Sequence, residues 1–465
     1  MAGVNYIKQA HPDQQHAQYP QQVILGTEET TTQATRGVYF DDRERAHLAP
    51  LKDGSSGGNA ELGWQYYAAR PQFAGVCFWT GFDYRGEPTP FGFPAIGSQF
   101  GILDTCGFPK DGFYYLQAWW TDKPVLHVYP HWNWPGREGQ ELKVVVYSNA
   151  QEVELLLNGT SLGRKPMARN DHLEWSVRYQ PGTLLARSYS QGKLVRETKT
   201  ETTDAPTALT LAADRTALTA DGADVAVIAV GAADAQGRAV PDAGTPVTFT
   251  LTGPGRIIGV GNGDPSSLEP DQFQAGLTRI EATGWRETAV SGGDAAALLS
   301  VDETAWSPAF AKDTKGKLPA NATIAYRGIL EVPALPAGAT CRLLLGYFGE
   351  KQTVYLDGRP LSATTGTAAP LPQVDLEPAQ LAPGRHQLAV VATPFAKAEA
   401  YENLGQLKLA TLRIDTPAPV WQRRLFNGLA QVIVQTDGRP GELVLHAESD
   451  GVNPASLTLT ANPAP

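Results

Sequence analysis

Near the amino terminus of this sequence, short apolar runs alternate with segments of helical spacing, and this alternation limits the folds that the chain can adopt. Residues 22–29 and 75–84 each hold an apolar run bounded by turn formers, which is typical of a parallel strand buried on both faces. Residues 60–70 between them have helical spacing, and a second helical segment follows at residues 112–120. This β–α–β–α order predicts a parallel α/β sheet or barrel.

Side chains suited to chemistry lie where the two strands are predicted to end. In a (β/α)8 barrel the active site lies at the carboxyl ends of the strands, and Glu28 and Trp79 occupy these positions. A carboxylate at a strand end is by itself weak evidence for catalysis, and the neighbouring Glu29 is an alternative that depends on strand register. Tryptophan is also common in cores, so a packing role for Trp79 stays open.

The same pattern also makes two packing predictions. Helical spacing places Leu62, Tyr66 and Ala69 on one face of the segment 60–70, which we expect to be the buried face. Cys77 lies inside an apolar run and is expected to be a small core residue.

Several ordered motifs carry a resemblance to a known family. They are Asn5-Tyr6, Gly26-Thr27-Glu28, Thr35-Arg36-Gly37 and the run from Phe78 to Pro88. Together they strongly resemble the end of the catalytic barrel in family 2 glycoside hydrolases of the β-galactosidase type. The resemblance implies that Glu28 is the catalytic nucleophile, that Tyr6 supports it by hydrogen bonding, and that Trp79 forms a wall of the sugar pocket. Aromatic walls suit such pockets because sugar rings stack on aromatic planes.

Two further residues are predicted to bind substrate. Asn5 closes the strand that the resemblance identifies as the sixth of the barrel. Asp83 lies in the glycine- and proline-containing loop after Trp79, together with Tyr84 and Glu87. A loop at this position is where carboxylates that bind sugar hydroxyls are expected, and Asp83 is the predicted one.

The chain departs from the family pattern in one important respect. A retaining glycosidase needs two carboxylates about 5–5.5 Å apart, and in the family the acid/base glutamate follows the fourth strand, far upstream of the nucleophile. A full barrel takes roughly 250 residues, whereas Glu28 stands close to the start of this sequence. We therefore expect residues 1–122 to be the carboxyl-terminal part of a TIM barrel. The missing strands and the acid/base would come from upstream residues or from a second chain.

The remainder of the chain is predicted to be mainly β and divided into several domains. Residues 123–204 are expected to form an immunoglobulin-like β-sandwich, in which Asn158-Gly159 marks a hairpin. Residues 205–270 and 421–465 are expected to form one discontinuous bacterial immunoglobulin-like sandwich. Residues 271–420 are then an inserted jelly roll that resembles galactose-binding domains, since insertion at a loop is tolerated when its ends lie close together.

Carbohydrate binding by the inserted domain stays open. The candidate sugar platforms are Trp285, Trp306, Tyr326 and Tyr347, but aromatic residues in such domains are more often core. The glycine-rich segment 259–265 lacks the spacing of a nucleotide-binding loop and is predicted to be a turn.

Composition excludes some classes of function. The net charge of −10 argues against nucleic-acid binding, and no apolar run is long enough to cross a membrane. Three cysteines are too few for a disulfide scaffold. His11 and His16 lack a third ligand at metal spacing, so neither a metal site nor a cofactor is predicted.

The combined prediction is the carboxyl-terminal part of a retaining exo-glycosidase that hydrolyses a terminal β-linked sugar, with a galactoside as the expected substrate. The alternative is a non-catalytic carbohydrate-binding or assembly protein that retains only the end of a barrel. No signal peptide is visible at Met1, and a periplasmic or extracellular location is expected for the full-length enzyme.

Overall fold

The computed structural model describes residues 1–50, 59–290, 306–309, 322–346, 348–365, 373–393 and 410–464. The chain forms two compact units. The first comprises Met1–Gln272 and Val420–Pro465, and the second comprises Phe273–Pro419. The second unit is thus inserted into the sequence of the first.

The first unit begins with alternating strands and helices. They are β1 Ala2–Asn5, α1 Ile7–Ala10, α2 Pro12–Gln18, β2 Ile24–Thr30, α3 Ala60–Ala68, β3 Phe73–Trp79 and α4 Asp111–Trp120. The three strands form a parallel sheet in the order β1-β2-β3, with Ala2 opposite Ile24 and Ile24 opposite Phe73. Parallel neighbours need a crossover connection, which the helices provide. The predicted β–α–β–α order is therefore present.

Only one face of this sheet is well buried. Val4, Ile24 and Phe73 form a small core with Tyr67 of α3. Cys77 and Trp79 alternate to the opposite face of β3 and are exposed. The prediction that both faces of β3 are buried is wrong, as is the prediction that Cys77 is a core residue. Three strands do not close a barrel, so the second face stays open to solvent here.

Helix α3 packs with a different face from the predicted one. Leu62 is 47% exposed, whereas Gly63 is buried against the sheet. A Cβ atom on Gly63 would lie 2.9 Å from the Glu29 Cγ and 3.0 Å from the Phe78 ring. The helix thus approaches the sheet more closely than large side chains would permit, which overrides the apolar periodicity.

A β-sandwich follows α4. Its strands are β4 Leu126–Tyr129, β5 Glu141–Ser148, β6 Glu152–Leu157, β7 Thr160–Pro166, β8 Leu173–Arg178, β9 Thr183–Ser190 and β10 Lys193–Glu201. The sheets have the orders β4-β5-β8 and β10-β9-β6-β7, and their inner faces share one apolar core. Asn158 and Gly159 join β6 to β7 with φ values of 51° and 82°, which confirms the predicted hairpin.

The outer face of the β4-β5-β8 sheet packs on the helices. Tyr129, Val145 and Tyr147 share a core with Tyr115 and Leu116 of α4. Strand β10 was not evident in the sequence, because its side chains are mostly exposed and polar and carry no apolar alternation. An edge strand of this kind is recognised only by its pairing with β9.

A second sandwich completes the first unit. It uses β11 Ala208–Ala213, β12 Ala217–Ala220, β13 Val225–Ala233, β14 Pro246–Thr252, β15 Gly255–Gly261 and, after the insertion, β26 Trp421–Arg424, β27 Leu429–Thr436, β28 Gly441–Ser449 and β29 Val452–Pro463. These nine strands are connected in the order β15-β27-β13-β11-β29-β28-β14-β26, with β12 paired to β29, and β11 pairs with β29 in parallel. Gly259 and Gly261 lie in β15, so the turn predicted there is wrong for these two residues. Pairing with β27 makes this glycine-rich segment a strand.

The second unit is also a β structure. Its strands are β16 Gly276–Glu281, β17 Thr283–Val290, β18 Ser307–Pro308, β19 Thr323–Val332, β20 Thr340–Leu345, β21 Lys351–Leu356, β22 Arg359–Thr365, β23 Gln373–Leu376, β24 Gly384–Thr393 and β25 Ala410–Thr416. They form sheets in the orders β16-β25-β20-β23 and β18-β17-β19-β24-β21-β22, around a single apolar cluster.

The candidate sugar platforms of the second unit are mostly interior. Trp306 and Tyr326 are buried, and Trp285 is partly buried against the core. Tyr347 lies outside the described residues. The mainly β, multidomain prediction is confirmed, while the immunoglobulin, jelly-roll and TIM-barrel assignments of the parts stay predictions. Among the described residues, no helix has both the length and the apolar character needed to span a membrane.

Candidate active site

The carboxyl ends of β1 and β2 bring three of the predicted site residues together. The Tyr6 hydroxyl donates a hydrogen bond to Glu28 Oε1, and Asn5 Nδ2 lies 3.4 Å from Glu28 Oε2. Asn5 is itself held by the Thr27 hydroxyl, which donates to Asn5 Oδ1 at 2.7 Å. Both oxygens of the Glu28 carboxylate are thus oriented by donors from the neighbouring strand.

The backbone at Tyr6 is unusual. Its φ is 57°, a left-handed conformation that costs free energy for a residue with a bulky side chain. Tyr6 directly follows β1 and precedes α1, and its amide donates to the Glu28 carbonyl oxygen at 2.8 Å. The strained turn therefore places both the amide and the phenol of Tyr6 against Glu28.

Glu28 and Glu29 have different environments. Their exposure shows which of the two carboxylates a ligand can reach. Glu29 is 4% exposed and accepts a hydrogen bond from the Ile7 amide at 2.9 Å. Glu28 is only half-buried. Since successive side chains of a strand point to opposite faces, Glu29 lies on the helix side of the sheet, and Glu28 presents its carboxylate on the open side.

Trp79 lies at the end of β3 and is 43% exposed. Its indole N–H donates to the Tyr84 hydroxyl at 3.1 Å, and the two rings meet edge to face with centroids 6.0 Å apart. The Tyr84 hydroxyl in turn donates to Glu87 Oε2. Trp79, Tyr84 and Glu87 thus form a hydrogen-bonded chain, and one aromatic surface of this chain is open to a ligand.

The two groups of residues share one negative electrostatic environment. Burial is the largest cause that raises the pKa of the Tyr6 phenol above its usual range. The hydrogen bond to Glu28 and the charges of Glu28, Glu87 and Glu29 raise this pKa further. Burial and the hydrogen bond to Glu87 likewise raise the pKa of Tyr84, with a further contribution from Glu28. Both phenols therefore stay protonated at neutral pH and act as donors. Sequence reasoning noted Tyr84 and Glu87 in this loop but did not choose them.

Asp83, the predicted substrate-binding carboxylate of the same loop, has a different position. Its side chain is buried, with Oδ2 2.7 Å from Lys110 Nζ and Oδ1 accepting from the Gly101 amide at 2.7 Å. Burial raises the pKa of Asp83 to about 6, although the Lys110 charge opposes the shift. Burial also lowers the pKa of Lys110. The contacts of Asp83 are those of a structural ion pair beneath the loop, and this placement does not support substrate binding.

Asp83→Asn is expected to destabilise the first unit by about 2–3 kcal/mol. The amide still accepts one hydrogen bond, but the buried Lys110 ammonium loses its counter-charge. Urea unfolding monitored by tryptophan fluorescence measures the change. The double variant Asp83→Asn/Lys110→Met is expected to recover most of the loss because it removes the unpaired charge. A double variant less stable than Asp83→Asn alone would contradict this explanation.

The Thr35-Arg36-Gly37 motif follows β2 and contacts the second sandwich. Arg36 Nε lies 2.6 Å from Asp104 Oδ2, and both side chains are buried. The same guanidinium donates to the carbonyl oxygens of Asn262 at 2.8 Å, Phe426 at 2.7 Å and Asn427 at 3.1 Å. Asn427 Nδ2 returns a hydrogen bond to the Arg36 carbonyl at 2.7 Å. Arg36 therefore attaches the loop after the Glu28 strand to the sandwich.

A parallel βα layer that presents a tyrosine-supported carboxylate beside an exposed tryptophan, followed by β-sandwiches, is typical of multidomain glycoside hydrolases. Comparison with known proteins agrees with this class. Residues 209–285 match the model of Glycoside hydrolase family 2 C-terminal domain 5, and residues 139–196 match a Domain of unknown function (DUF4982). Parts of the chain are thus similar to glycoside hydrolase family 2 proteins.

Individual relatives have glycosidase names. The β-galactosidase BoGH2A of Bacteroides ovatus is 39% identical over 287 residues, which are 57% of this chain and 33% of that protein. A protein of Formosa agariphila named as a putative β-glucuronidase is 37% identical over 46% of this chain and 21% of its own length. This chain therefore spans a third or less of the length of these two relatives.

Solved structures share the fold. A β-glycosidase from Bacteroides vulgatus matches 99% of this chain and 45% of its own, with a TM-score of 0.60 and 21% identity. A family 2 glycosyl hydrolase from Bacteroides cellulosilyticus matches 99% of this chain and 42% of its own, with a TM-score of 0.57 and 19% identity. At these identities the likeness concerns the fold alone.

Proposed function

We propose that this chain supplies the nucleophile-bearing, carboxyl-terminal part of a retaining β-glycosidase that acts on terminal β-galactosides. The observation that carries the proposal is the Glu28 carboxylate, which lies on the open face of the sheet and is oriented by Tyr6 and Asn5. Glu28 attacks the anomeric carbon and displaces the leaving group, forming a glycosyl–enzyme intermediate. Water then hydrolyses this intermediate.

The supporting residues have distinct roles in this reaction. Tyr6 stays protonated and donates to Glu28 Oε1, so it fixes the rotation of the carboxylate and leaves Oε2 directed at the sugar. The contact of Asn5 with Oε2 is long, at 3.4 Å, and this amide is available to a sugar hydroxyl. Holding a nucleophile in a single orientation lowers the entropic part of the barrier.

The second carboxylate of the mechanism is proposed to come from residues outside this chain. Glu87 is engaged by Tyr84 in the wall beside Trp79, an arrangement that suits substrate recognition better than protonation of a leaving group. The acid must lie about 5–5.5 Å from the nucleophile. We therefore expect no hydrolysis by this chain alone.

A neutral sugar fits the electrostatics of the site better than a uronic acid. The charges that act on Tyr6 are those of Glu28, Glu87 and Glu29, which are all carboxylates. A glucuronide would bring a further carboxylate to this negative site, and repulsion in a partly desolvated pocket is costly. A galactoside has a neutral hydroxymethyl group instead, and its C–H face can stack on the exposed Trp79 indole.

The test compares nitrophenyl β-galactoside with nitrophenyl β-glucuronide. Each is assayed with this chain alone and with the chain extended by its upstream coding sequence. We expect galactoside hydrolysis in the extended form and none in the chain alone. Preference for the glucuronide would overturn the substrate assignment. If neither form hydrolyses either substrate, the result would favour the binding or assembly function.

Glu87→Gln sharpens this test. Loss of one negative charge is expected to raise kcat/KM for the glucuronide relative to the galactoside by about tenfold, which corresponds to about 1.4 kcal/mol. The matched control is Glu138→Gln, whose carboxylate contacts only the Gly136 amide among the hydrogen bonds of the described residues. An equal shift in both variants would show that Glu87 does not set the selectivity.

A further inference from the structure

A second cluster of chemically capable side chains lies away from the candidate active site, in the first unit. Glu61 is in the first turn of α3, while Asp171 and His172 lie in the loop that connects β7 to β8. One ligand atom from each of these residues lies within 4.8 Å of the others. Glu61 is distant in sequence from the adjacent Asp171 and His172, so no spacing pattern indicated this cluster.

The loop that carries two of these residues is firmly held. Asn170 has a φ of 62°, and its carbonyl accepts hydrogen bonds from Gln65 Nε2 and the Tyr115 hydroxyl, each at 2.8 Å. Its side-chain oxygen accepts from Trp64 Nε1 at 3.0 Å. These contacts dock the loop on α3 and α4 and so fix the neighbouring Asp171 and His172. A rigid backbone of this kind is what a ligand site requires.

Glu61 leaves one carboxylate oxygen unused. The residue is 7% exposed, and its Oε1 lies 2.7 Å from His172 Nδ1. Its Oε2 is buried and has no hydrogen-bond partner in the described part of the chain. A buried charged oxygen without a partner is costly. This unpartnered oxygen therefore offers the cluster a buried ligand atom that no group of the described chain uses.

The surroundings of His172 fit a metal ligand. Its Nε2 lies 3.0 Å from Glu174 Oε1, and Glu174 also pairs with Lys143. Histidines that bind metals through one nitrogen usually donate the other N–H to a carboxylate, which fixes the tautomer and the ring orientation. The hydrogen bond to Glu61 is the main cause that raises the pKa of His172 to about 9, so binding a divalent cation at Nδ1 displaces a proton. The three carboxylates then face only the Lys143 ammonium and the bound cation.

We propose that Glu61, Asp171 and His172 bind a zinc ion that fastens helix α3 to the loop before β8. Imidazole and carboxylate ligands suit zinc, whereas calcium prefers oxygen ligands alone. His172 Nδ1 and Glu61 Oε1 are now at hydrogen-bond distance. Ligand atoms around a tetrahedral zinc lie about 3.3 Å apart, so a shift of about half an ångström admits the ion. Glu174 is the positioning residue, and water completes the coordination.

The test measures zinc directly. The 465-residue chain is stripped with a chelator, dialysed against zinc and analysed by plasma mass spectrometry and calorimetric titration. We expect about one zinc per chain in the native protein and loss of that zinc in His172→Gln and in Asp171→Asn. Glu174→Gln is expected to weaken zinc affinity by about 10–100-fold, the usual effect of removing such a partner.

His386→Gln is the matched control. Its Nδ1 lies 2.6 Å from Asp357 Oδ2, but its Nε2 faces the Ala382 carbonyl oxygen, and among the described residues no group of three metal ligands includes it. It should leave zinc binding unchanged. Absence of bound zinc in the native protein, or undiminished binding by a folded His172→Gln variant, would overturn the proposal and leave His172 as a protonated bridge between carboxylates.

A spectroscopic measurement covers variants that fail to fold. X-ray absorption of the zinc-loaded native protein should show one imidazole nitrogen and carboxylate oxygens at about 2.0–2.2 Å. A shell of oxygens alone would overturn the proposal, because it excludes His172 from the site.

Discussion

Glu28→Gln is expected to lower kcat/KM for nitrophenyl β-galactoside by roughly 10⁴-fold or more in the form that carries the complete site. Glutamine has the same shape, and its amide oxygen still accepts the Tyr6 hydrogen bond. It is neutral and a poor nucleophile, so the glycosyl–enzyme intermediate no longer forms. Steady-state kinetics measures the loss, and unchanged unfolding midpoints would show that the fold is intact.

Glu29→Gln is the control for this experiment, because the two residues are adjacent and chemically identical. Glu29 is buried and accepts the Ile7 amide, so we expect its substitution to affect stability while the folded protein retains activity. Mass spectrometry of a slowly hydrolysed glycosyl–enzyme should find the sugar on Glu28. A sugar on Glu29, or activity that survives Glu28→Gln, would refute the assignment of the nucleophile.

Arg36→Ala is expected to cost about 3–5 kcal/mol of the free energy of unfolding of the first unit, the range seen when one partner of a buried ion pair is removed. Alanine leaves the Asp104 carboxylate buried without its counter-charge. It also removes the donor to the carbonyl oxygens of Asn262 and Phe426. The midpoint of urea unfolding should fall accordingly.

The control for Arg36 is Arg439→Ala. Arg439 pairs with Asp437 at 2.6 Å, but its side chain is largely exposed, and solvent-exposed pairs contribute about 0–1 kcal/mol. We expect almost no change in the unfolding midpoint. Equal effects of the two substitutions would show that burial does not determine the contribution of the Arg36 pair.

The Arg36 contacts also give the second sandwich a place in the proposed function. Carbonyl oxygens from β-strand connections at residues 262 and 426–427 hold the loop that directly follows the Glu28 strand. A Cβ atom on Gly37 would lie 2.8 Å from the Asn427 Cβ, so the loop and the sandwich are in close contact. The sandwich therefore supports a loop beside the candidate nucleophile, and loosening this contact is expected to lower activity as well as stability.

Much of the local structure was predictable because local rules dominate it. Strands such as β5 and β13 have apolar side chains that are visible in the sequence and buried in the structure. Asn158-Gly159 and Asp357-Gly358 both have positive φ values at hairpin turns, as their residue types predict. Strand β10 was not predicted because an exposed edge strand has no buried face and therefore no apolar alternation in its sequence. The prediction of which face of α3 is buried was wrong. The helix approaches the sheet at Gly63, where a larger side chain would not fit.

By itself, the sequence determined the alternating strands and helices, the β-rich remainder, and a short set of candidate residues around Glu28 and Trp79. Only the tertiary structure decided which neighbouring carboxylate is accessible, because burial of Glu29 depends on how α3 packs. It also separated Asp83 from Glu87, since Asp83 meets Lys110 beneath the loop while Glu87 joins Tyr84 at the surface. The apolar periodicity of a sequence indicates which side of a strand is apolar. The partner that neutralises a charge is set by residues brought together from distant parts of the chain.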